Sequence, residues 1–220
     1  PIANMKMYLS ARSLNETLMK KIEDKERELE QRIKGLQLAD AFRIEEKEII
    51  GKSETLERLL KVADKIALSD ANILIEGEPG SGKELIARRI HCRSSRSACA
   101  FVVLDCSALS ALDLEAELFG EDAPVGGQRR SRTGVLESAN GGTLLIENVQ
   151  VMNAALQLKL TQFMKGGVAN RLGATSLYKS NVRLFAASGK SLQAEVEATR
   201  FREDLFYALS TMALRLPPLR

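Results

Sequence analysis

The sequence predicts an α/β fold in which helices cover both faces of a parallel sheet and a phosphate-binding loop lies at one edge of that sheet. Two observations predict it. The sequence GEPGSGK at residues 77–83 fits the phosphate-loop pattern GxxxxGK and stands between an apolar run and a helical pattern. From residue 49 onward, short apolar runs alternate with stretches of helical length, which is typical of sheets built from strand–helix–strand units.

The apolar runs are the strand candidates, and they lie at residues 72–76, 101–105, 143–147, 182–187 and 213–216. The helix candidates lie at residues 53–68, 83–92, 111–119, 154–165 and 200–209. Alternating elements of these lengths predict a parallel sheet with helices on both faces. Such sheets bind ligands beyond the carboxyl ends of their strands, and the phosphate loop falls at such an end.

The phosphate loop predicts a nucleotide site. Its glycines allow several backbone N–H groups to turn toward a phosphate, and the N-terminus of the following helix adds positive potential. Lys83 supplies a positive charge for the outer phosphates. The residues expected to bind ATP or ADP in this loop are Gly77, Gly80, Ser81, Gly82, Lys83 and Glu84.

Composition excludes several other classes of protein. The chain has 220 residues, of which 45% are hydrophobic, enough for one sizeable core and a smaller appendage. A net charge of +3 is too small to indicate nucleic-acid binding by itself. The three cysteines form no CxxC pair, so neither a disulfide framework nor a zinc site is predicted. No apolar run approaches the roughly 18 residues of a membrane span, and we expect a cytoplasmic protein.

The segment at residues 14–48 differs from the rest of the chain. It is rich in Glu, Lys and Arg, and it contains no proline. Its apolar residues recur at helical spacing of three and four, namely at Met19, Ile22, Leu29, Ile33 and Leu36. This pattern favours a helical linker through which two copies dimerise as a coiled coil. A helix that packs one face on its own domain is the alternative, and it remains open.

Several blocks after residue 48 together resemble one family, the AAA+ domain of sigma-54-dependent transcription activators, the bacterial enhancer-binding proteins of the nitrogen-regulator type. The resemblance runs in unbroken order over about 170 residues. Its blocks are IIGKS at 49–53, GEPGSGKE at 77–84, FVVLDC at 101–106, ELFG at 117–120, ESANGGT at 137–143, LQLKL at 156–160, VRLFAA at 182–187, FREDL at 201–205 and LPPLR at 216–220.

The resemblance implies a P-loop NTPase subdomain at residues 49–220, assembly into a ring, and ATP with Mg²⁺ held between neighbouring subunits. A helical lid and a DNA-binding helix-turn-helix would follow Arg220, so we expect a fragment or a truncated protein that contacts DNA only through that absent domain. Residues 1–13 are interpreted as the end of a receiver-like domain of a two-component system. Ile50 and Gly51 resemble the segment beside the adenine, although a simple turn into a helix explains them equally well.

The positions that would hydrolyse ATP depart from the family pattern. The family ends the corresponding strand in Asp-Glu, and here the pair is Glu147-Asn148. Glu147 is expected to support Mg²⁺ through water, whereas Asn148 can orient a water but cannot accept its proton. Asp105 stands where the family has an Asn that contacts the catalytic Glu, so amide and carboxylate have exchanged places. Asp105 is therefore a candidate base, and a tolerated polar strand end is the alternative.

Three further positions depart from the family. Its Ala-Thr-Asn becomes Ala-Ser-Gly at residues 187–189, so the amide expected to sense the γ-phosphate is absent. Of the two arginines that the family directs at a neighbour's ATP, Arg202 is present and the second position is Ala208. The GAFTGA loop that touches the sigma factor is replaced by EDAPVGGQ at residues 121–128, which predicts a turn but holds neither Phe nor Thr.

These departures favour a regulatory domain that binds ATP or ADP, hydrolyses it weakly or not at all, and makes no productive sigma-54 contact. Two alternatives remain open: a working ATPase that uses Asp105 or a rearranged Glu147, and a scaffold that binds no nucleotide. The intact residues Gly80, Gly82 and Lys83 speak against the scaffold. The DNA target, the input signal and the ring size do not follow from the sequence.

Overall fold

The structure is a computed structural model that describes residue 49 and residues 53–125 and 128–217. The predicted linker at 14–48, the segment at 1–13 and the pair Ile50 and Gly51 lie outside the described residues. Among the residues that are described, no helix is both long and apolar enough to cross a membrane.

Within the described ranges the chain forms nine strands: β1 (Ile73–Glu76), β2 (Phe101–Asp105), β3 (Gly120–Val125), β4 (Gln128–Thr133), β5 (Thr143–Glu147), β6 (Val168–Asn170), β7 (Leu177–Lys179), β8 (Arg183–Ser188) and β9 (Met212–Arg215). The helices there are α1 (Glu54–Ala67), α2 (Lys83–Cys92), α3 (Ala111–Phe119), α4 (Val135–Ser138), α5 (Ala154–Gly166), α6 (Leu192–Glu197) and α7 (Glu203–Leu209), with a 3₁₀ turn at Val149–Val151.

Five of these strands form one parallel sheet in the order β2-β5-β8-β1-β9. The predicted fold class is confirmed, because each of the five strands and five helices expected from the sequence is present within a few residues. The elements that the sequence reading missed are the hairpins β3–β4 and β6–β7 and the short helices α4 and α6. The hairpin strands escape prediction because they carry no apolar run.

Side-chain caps set where three of the helices begin. The Ser53 hydroxyl accepts a hydrogen bond from the Leu56 N–H at the start of α1, at 3.2 Å. Ser110 caps α3 in the same way, and the Asn153 side chain caps α5 at 2.8 Å. Each cap satisfies a backbone donor that the first turn of a helix leaves without a partner.

The sheet separates two apolar cores. On one face Ile73 and Ile75 of β1 pack with Phe185 of β8 against α1 and α2. On the other face Leu74 and Leu184 pack among residues of α3, α5 and α7. The central strands β1 and β8 are buried along their whole length, and accordingly Ile73–Ile75 and Leu184–Ala187 form continuous apolar runs within them.

Two arginines stabilise the amino edge of the sheet, which is the side at which its parallel strands begin. Arg183, only 1% exposed, donates from Nε to the Ala71 carbonyl and from Nη2 to the Ile66 carbonyl, both at 3.0 Å. Burial lowers the pKa of this guanidinium, which also stacks over the Phe185 ring at 4.9 Å from its centroid. Arg96 donates to the Gly142 carbonyl and, through two nitrogens, to the Asp70 carboxylate.

We expect Arg183→Ala to lower the free energy of unfolding by about 3 kcal/mol or more, because it removes the donors of two carbonyls and opens a cavity. Urea unfolding followed by circular dichroism measures the change. Arg58→Ala is the control, because the Arg58–Glu54 ion pair is 74% and 78% exposed and its loss should cost under about 0.5 kcal/mol. A similar small cost for both variants would contradict this account of the amino edge.

Candidate nucleotide-binding site

The phosphate loop joins β1 to α2 in a conformation that requires glycine. Gly80 and Gly82 have φ angles of 79° and 85°, in the left-handed region. At Gly77 the constraint is space, because a Cβ there would lie 2.6 Å from the Ser81 hydroxyl. The Gly77 N–H donates to the Ser188 carbonyl at 3.1 Å, so the loop is joined to the end of β8.

Lys83 lies over the backbone of the loop. Its Nζ donates to the carbonyl oxygens of Gly77 and Glu78, each at 2.8 Å. Burial lowers the pKa of this ammonium, and the negative charge of Glu147 partly offsets the effect. The ammonium is therefore already partly desolvated and positioned at the loop.

The loop has the features that a phosphate group needs. The N-cap of α2 is Gly82, so no cap side chain occupies the first N–H groups of this ten-residue helix. The buried Ser81 hydroxyl has no hydrogen-bond partner in the part of the chain that the structure describes. Free helix N–H groups, an unsatisfied hydroxyl and an ammonium form a donor set that fits phosphate oxygens.

Glu147 ends β5 beside the loop and opposite Asp105 in the β2–β5 register. Burial raises the pKa of Glu147, and the charges of Glu84 and Asp105 raise it further, while Lys83 and Arg88 oppose the shift. Within residues 53–125 and 128–217 no group of three or more acidic, His or Cys side chains could hold a metal ion by itself. Mg²⁺ commonly binds through one or two carboxylates plus substrate phosphates, and Glu147 fits that role.

Asp105 and Asn148, which the sequence predicts to have exchanged roles, are in contact. Asn148 Nδ2 donates to Asp105 Oδ1 at 2.8 Å, and the same oxygen accepts hydrogen bonds from the Ser107 N–H at 2.8 Å and hydroxyl at 2.7 Å. The hydrogen bond from Asn148 is the largest of the effects that lower the pKa of Asp105. A carboxylate stabilised in this way is a weak base.

The sensor position at the end of β8 carries no amide. The Ser188 hydroxyl donates to the Lys190 carbonyl at 2.6 Å, so it is engaged within its own turn. Beside Gly189 lies Gln150, whose Nε2 is 3.8 Å from the place a Cβ would occupy at Gly189. The sequence analysis does not predict Gln150 as a site residue. The sequence signal at this position is a polar residue three positions after Glu147, in the segment that follows β5.

Arg202 lies at the N-cap of α7 and forms a bidentate ion pair within its own chain. Its Nε and Nη2 donate to the two Asp204 carboxylate oxygens at 3.0 and 2.9 Å, and this pairing raises the pKa of Arg202. Its backbone N–H donates to Gln157 Oε1 at 2.8 Å. To reach another subunit's phosphate, the guanidinium would have to exchange Asp204 for that phosphate.

The segment that replaces the partner loop is a hairpin. Strands β3 and β4 pair antiparallel from Gly120 opposite Thr133 to Val125 opposite Gln128. The predicted glycine turn at residues 126–127 lies outside the described residues. At the base, a Cβ on Gly134 would lie 2.3 Å from the Gly120 backbone nitrogen, so the two strands are pinched together there.

Comparison with known proteins identifies relatives of this chain. The family profile described as "Sigma-54 interaction domain" matches residues 49–215. The transcriptional regulatory protein FlbD of Caulobacter vibrioides is 41% identical over 177 residues, which are 80% of this chain and 39% of FlbD. The Nif-specific regulatory protein of Rhizobium leguminosarum bv. trifolii is 42% identical over 174 residues, 79% of this chain and 49% of that protein. The chain thus spans less than half the length of these relatives.

Solved structures agree with the sequence relatives. NtrX from Brucella abortus in complex with ATP superposes with a TM-score of 0.73 at 32% identity, over 78% of this chain and 37% of NtrX. The NtrX complex with ADP gives the same TM-score at 31% identity, over 79% of this chain and 38% of NtrX.

Proposed function

Since the chain belongs to the family of sigma-54 interaction domains, the AAA+ domains of sigma-54-dependent transcription activators, we propose that residues 49–220 bind ATP or ADP and regulate transcription with little or no hydrolysis. The observation that carries this proposal is an intact phosphate loop beside an altered water-activating pair, Asp105 and Asn148.

Nucleotide binding is supported by the loop's donor set and by the relative NtrX, which has been crystallised with ATP and with ADP. The phosphates would be held by the N–H groups of the loop and α2, with Lys83 as the charged contact. Glu147 would hold Mg²⁺ through water, and the metal would neutralise phosphate charge. The raised pKa of Glu147 reflects a carboxylate whose ionised form gains from a cation nearby.

Hydrolysis is disfavoured because Asn148 stands where the family has its catalytic Glu, and the carboxylate before it, Glu147, is assigned to Mg²⁺. Asn148 cannot accept a proton, and the three hydrogen bonds to Asp105 Oδ1 make that carboxylate a weak base. A positioned general base contributes roughly 10²–10⁴-fold in rate. The loss of the second arginine at Ala208 removes further charge stabilisation from a ring interface.

Regulation without hydrolysis follows from binding alone. A nucleotide that binds one conformation or oligomer more tightly than another shifts the population toward it. We propose self-association in the cytoplasm, through the linker at 14–48 and through an AAA+ ring in which Arg202 faces a neighbour's nucleotide. DNA would be contacted only through a C-terminal domain.

We expect the chain to form no open complex with sigma-54 polymerase, because EDAPVGGQ in the β3–β4 hairpin offers neither the Phe nor the Thr of the family's contact loop. A reconstituted open-complex assay on a sigma-54 promoter measures this, with an activator that carries the GAFTGA loop as the positive control. Open complexes formed at the control's level would overturn this part of the proposal.

Calorimetric titration with Mg-ATP, paired with phosphate release from the same sample, tests the central claim. We expect binding without phosphate release above the buffer blank at every protein concentration, because the loop is intact and the base is not. Lys83→Ala should weaken binding by about tenfold or more, since it removes a charged hydrogen-bond donor.

Phosphate release that rises with protein concentration and is lost in Lys83→Ala would restore the working ATPase. Absence of nucleotide binding to the unmodified chain would instead favour the scaffold. The three interpretations therefore give three different results in one paired measurement.

Exchanging the amide and the carboxylate should restore a base. We expect the double variant Asp105→Asn with Asn148→Glu to release phosphate about tenfold faster than the unmodified chain, or more, since it places a carboxylate at position 148, where the family has its catalytic Glu. Asn148→Glu alone should fail, because it sets a second carboxylate against Asp105, whose Oδ1 now lies 2.8 Å from the Asn148 amide. Steady-state phosphate release measures both.

Asp105→Asn alone is the matched control for that exchange. It removes the carboxylate without supplying another, so it should leave any residual phosphate release unchanged. If it abolishes that release, Asp105 is the base, and the claim that its hydrogen bonds make it too weak a base for hydrolysis is wrong.

A further inference from the structure

Three strand ends meet at the nucleotide site. β8 lies between β1 and β5, so the residue after β8 is flanked by the phosphate loop on one side and by the segment after β5 on the other. The hydrogen bond from the Gly77 N–H to the Ser188 carbonyl fixes the first of these contacts at 3.1 Å. Gly189 follows Ser188 directly and adds no side chain to this space.

Gln150 reaches the same space from the β5 side. It sits in the 3₁₀ turn Val149–Val151, which is anchored by the fully buried Val149 and closed by a hydrogen bond from the Val151 N–H to the Asn148 carbonyl at 3.0 Å. Apart from the chain neighbours of Gly189, Gln150 Nε2 is the one atom of the described residues within 4 Å of a Cβ built at Gly189. The backbone of Gln150 is therefore held in place, and its amide lies beside the space that a side chain at position 189 would occupy.

One atom of the half-buried Gln150 side chain has no hydrogen-bond partner among the described residues. Its Oε1 is buried, and no described residue supplies a hydrogen-bond partner. Gln157 shows the contrast, because its Nε2 donates to the Met152 and Arg200 carbonyls and its Oε1 accepts from the Arg202 N–H. Buried polar atoms are nearly always hydrogen-bonded, so an acceptor without a donor beside a ligand site leaves room for a donor such as a water held next to the ligand, while the adjoining Nε2 is the atom that can donate to the ligand itself.

We propose that Gln150 senses the terminal phosphate of a bound nucleoside triphosphate, in place of the amide that Gly189 lacks. This inference rests on the nucleotide binding proposed above and deepens it. A neutral amide offers a donor to a phosphate oxygen and an acceptor to a water beside it, without adding charge next to Glu147. ADP lacks the phosphate that Gln150 would touch, so the contact distinguishes the two nucleotides.

Calorimetry with a non-hydrolysable ATP analogue and with ADP, each with Mg²⁺, tests the proposal on the full chain. Gln150→Met keeps the length of the side chain and removes the amide. We expect it to weaken binding of the analogue about tenfold, the size of a lost hydrogen bond to a charged group, and to leave ADP binding within about twofold. Unchanged ADP affinity also shows that the site is still folded.

Two further variants complete the test. Gln193→Met is the matched control, because Gln193 lies on the exposed side of α6, where its amide donates to Glu197, and it should change neither affinity. Gly189→Asn in the Gln150→Met background restores an amide from the β8 side and should recover the preference for the analogue.

Equal binding of the analogue and ADP by the unmodified chain would overturn the proposal, as would an equal loss of both affinities in Gln150→Met. Failure of the proposed function looks different, because the unmodified chain would then bind neither nucleotide, and the assignment of Gln150 would fall with it.

Discussion

The parallel pairing of β2, β5, β8 and β1 is the constraint on which the site depends. Because these strands run in one direction, the phosphate loop, the Ser188 turn, the Glu147-Asn148 pair and Asp105 all emerge at one edge. The opposite edge is held by Arg96 and Arg183, whose hydrogen bonds join the α1–β1 connection to the starts of β5 and β8. A displacement of either central strand would move several site residues at once.

At the carboxyl edge, where the parallel strands end, the carboxylate and the amides of the family pattern are present but belong to different residues. A carboxylate and an amide still meet across β2 and β5, but Asp105 now provides the first and Asn148 the second. An amide still borders the end of β8, but it belongs to Gln150. A base accepts a proton from the attacking water only if its carboxylate faces that water. A hydrogen bond to phosphate can instead be donated by an amide at the end of either β5 or β8. Binding can therefore survive rearrangements that hydrolysis does not.

Much of this arrangement can be predicted from the sequence, for identifiable reasons. The central strands are buried on both faces and are therefore apolar between their polar end residues, and the phosphate loop has a fixed pattern of glycines before Lys83. The β3–β4 hairpin carries neither signal, since its strands are largely polar and charged. The sequence signal at Gln150 is weak because the role of this residue depends on Gly189, which is 39 positions away in the sequence and adjacent only in the folded chain.

The close approach of Gly120 and Gly134 at the base of the β3–β4 hairpin limits where the sequence of such a domain can change. Gly120 and Gly134 approach so closely that neither position accepts a side chain, and the hairpin leaves the core through that narrow neck. Beyond this neck the strands still contact the rest of the domain, because the Asp122 N–H donates to the Leu172 carbonyl at 2.8 Å and Arg132 pairs with Glu117. On the function proposed above, a change of partner would require changes in the hairpin sequence, while the glycines of the phosphate loop could stay as they are.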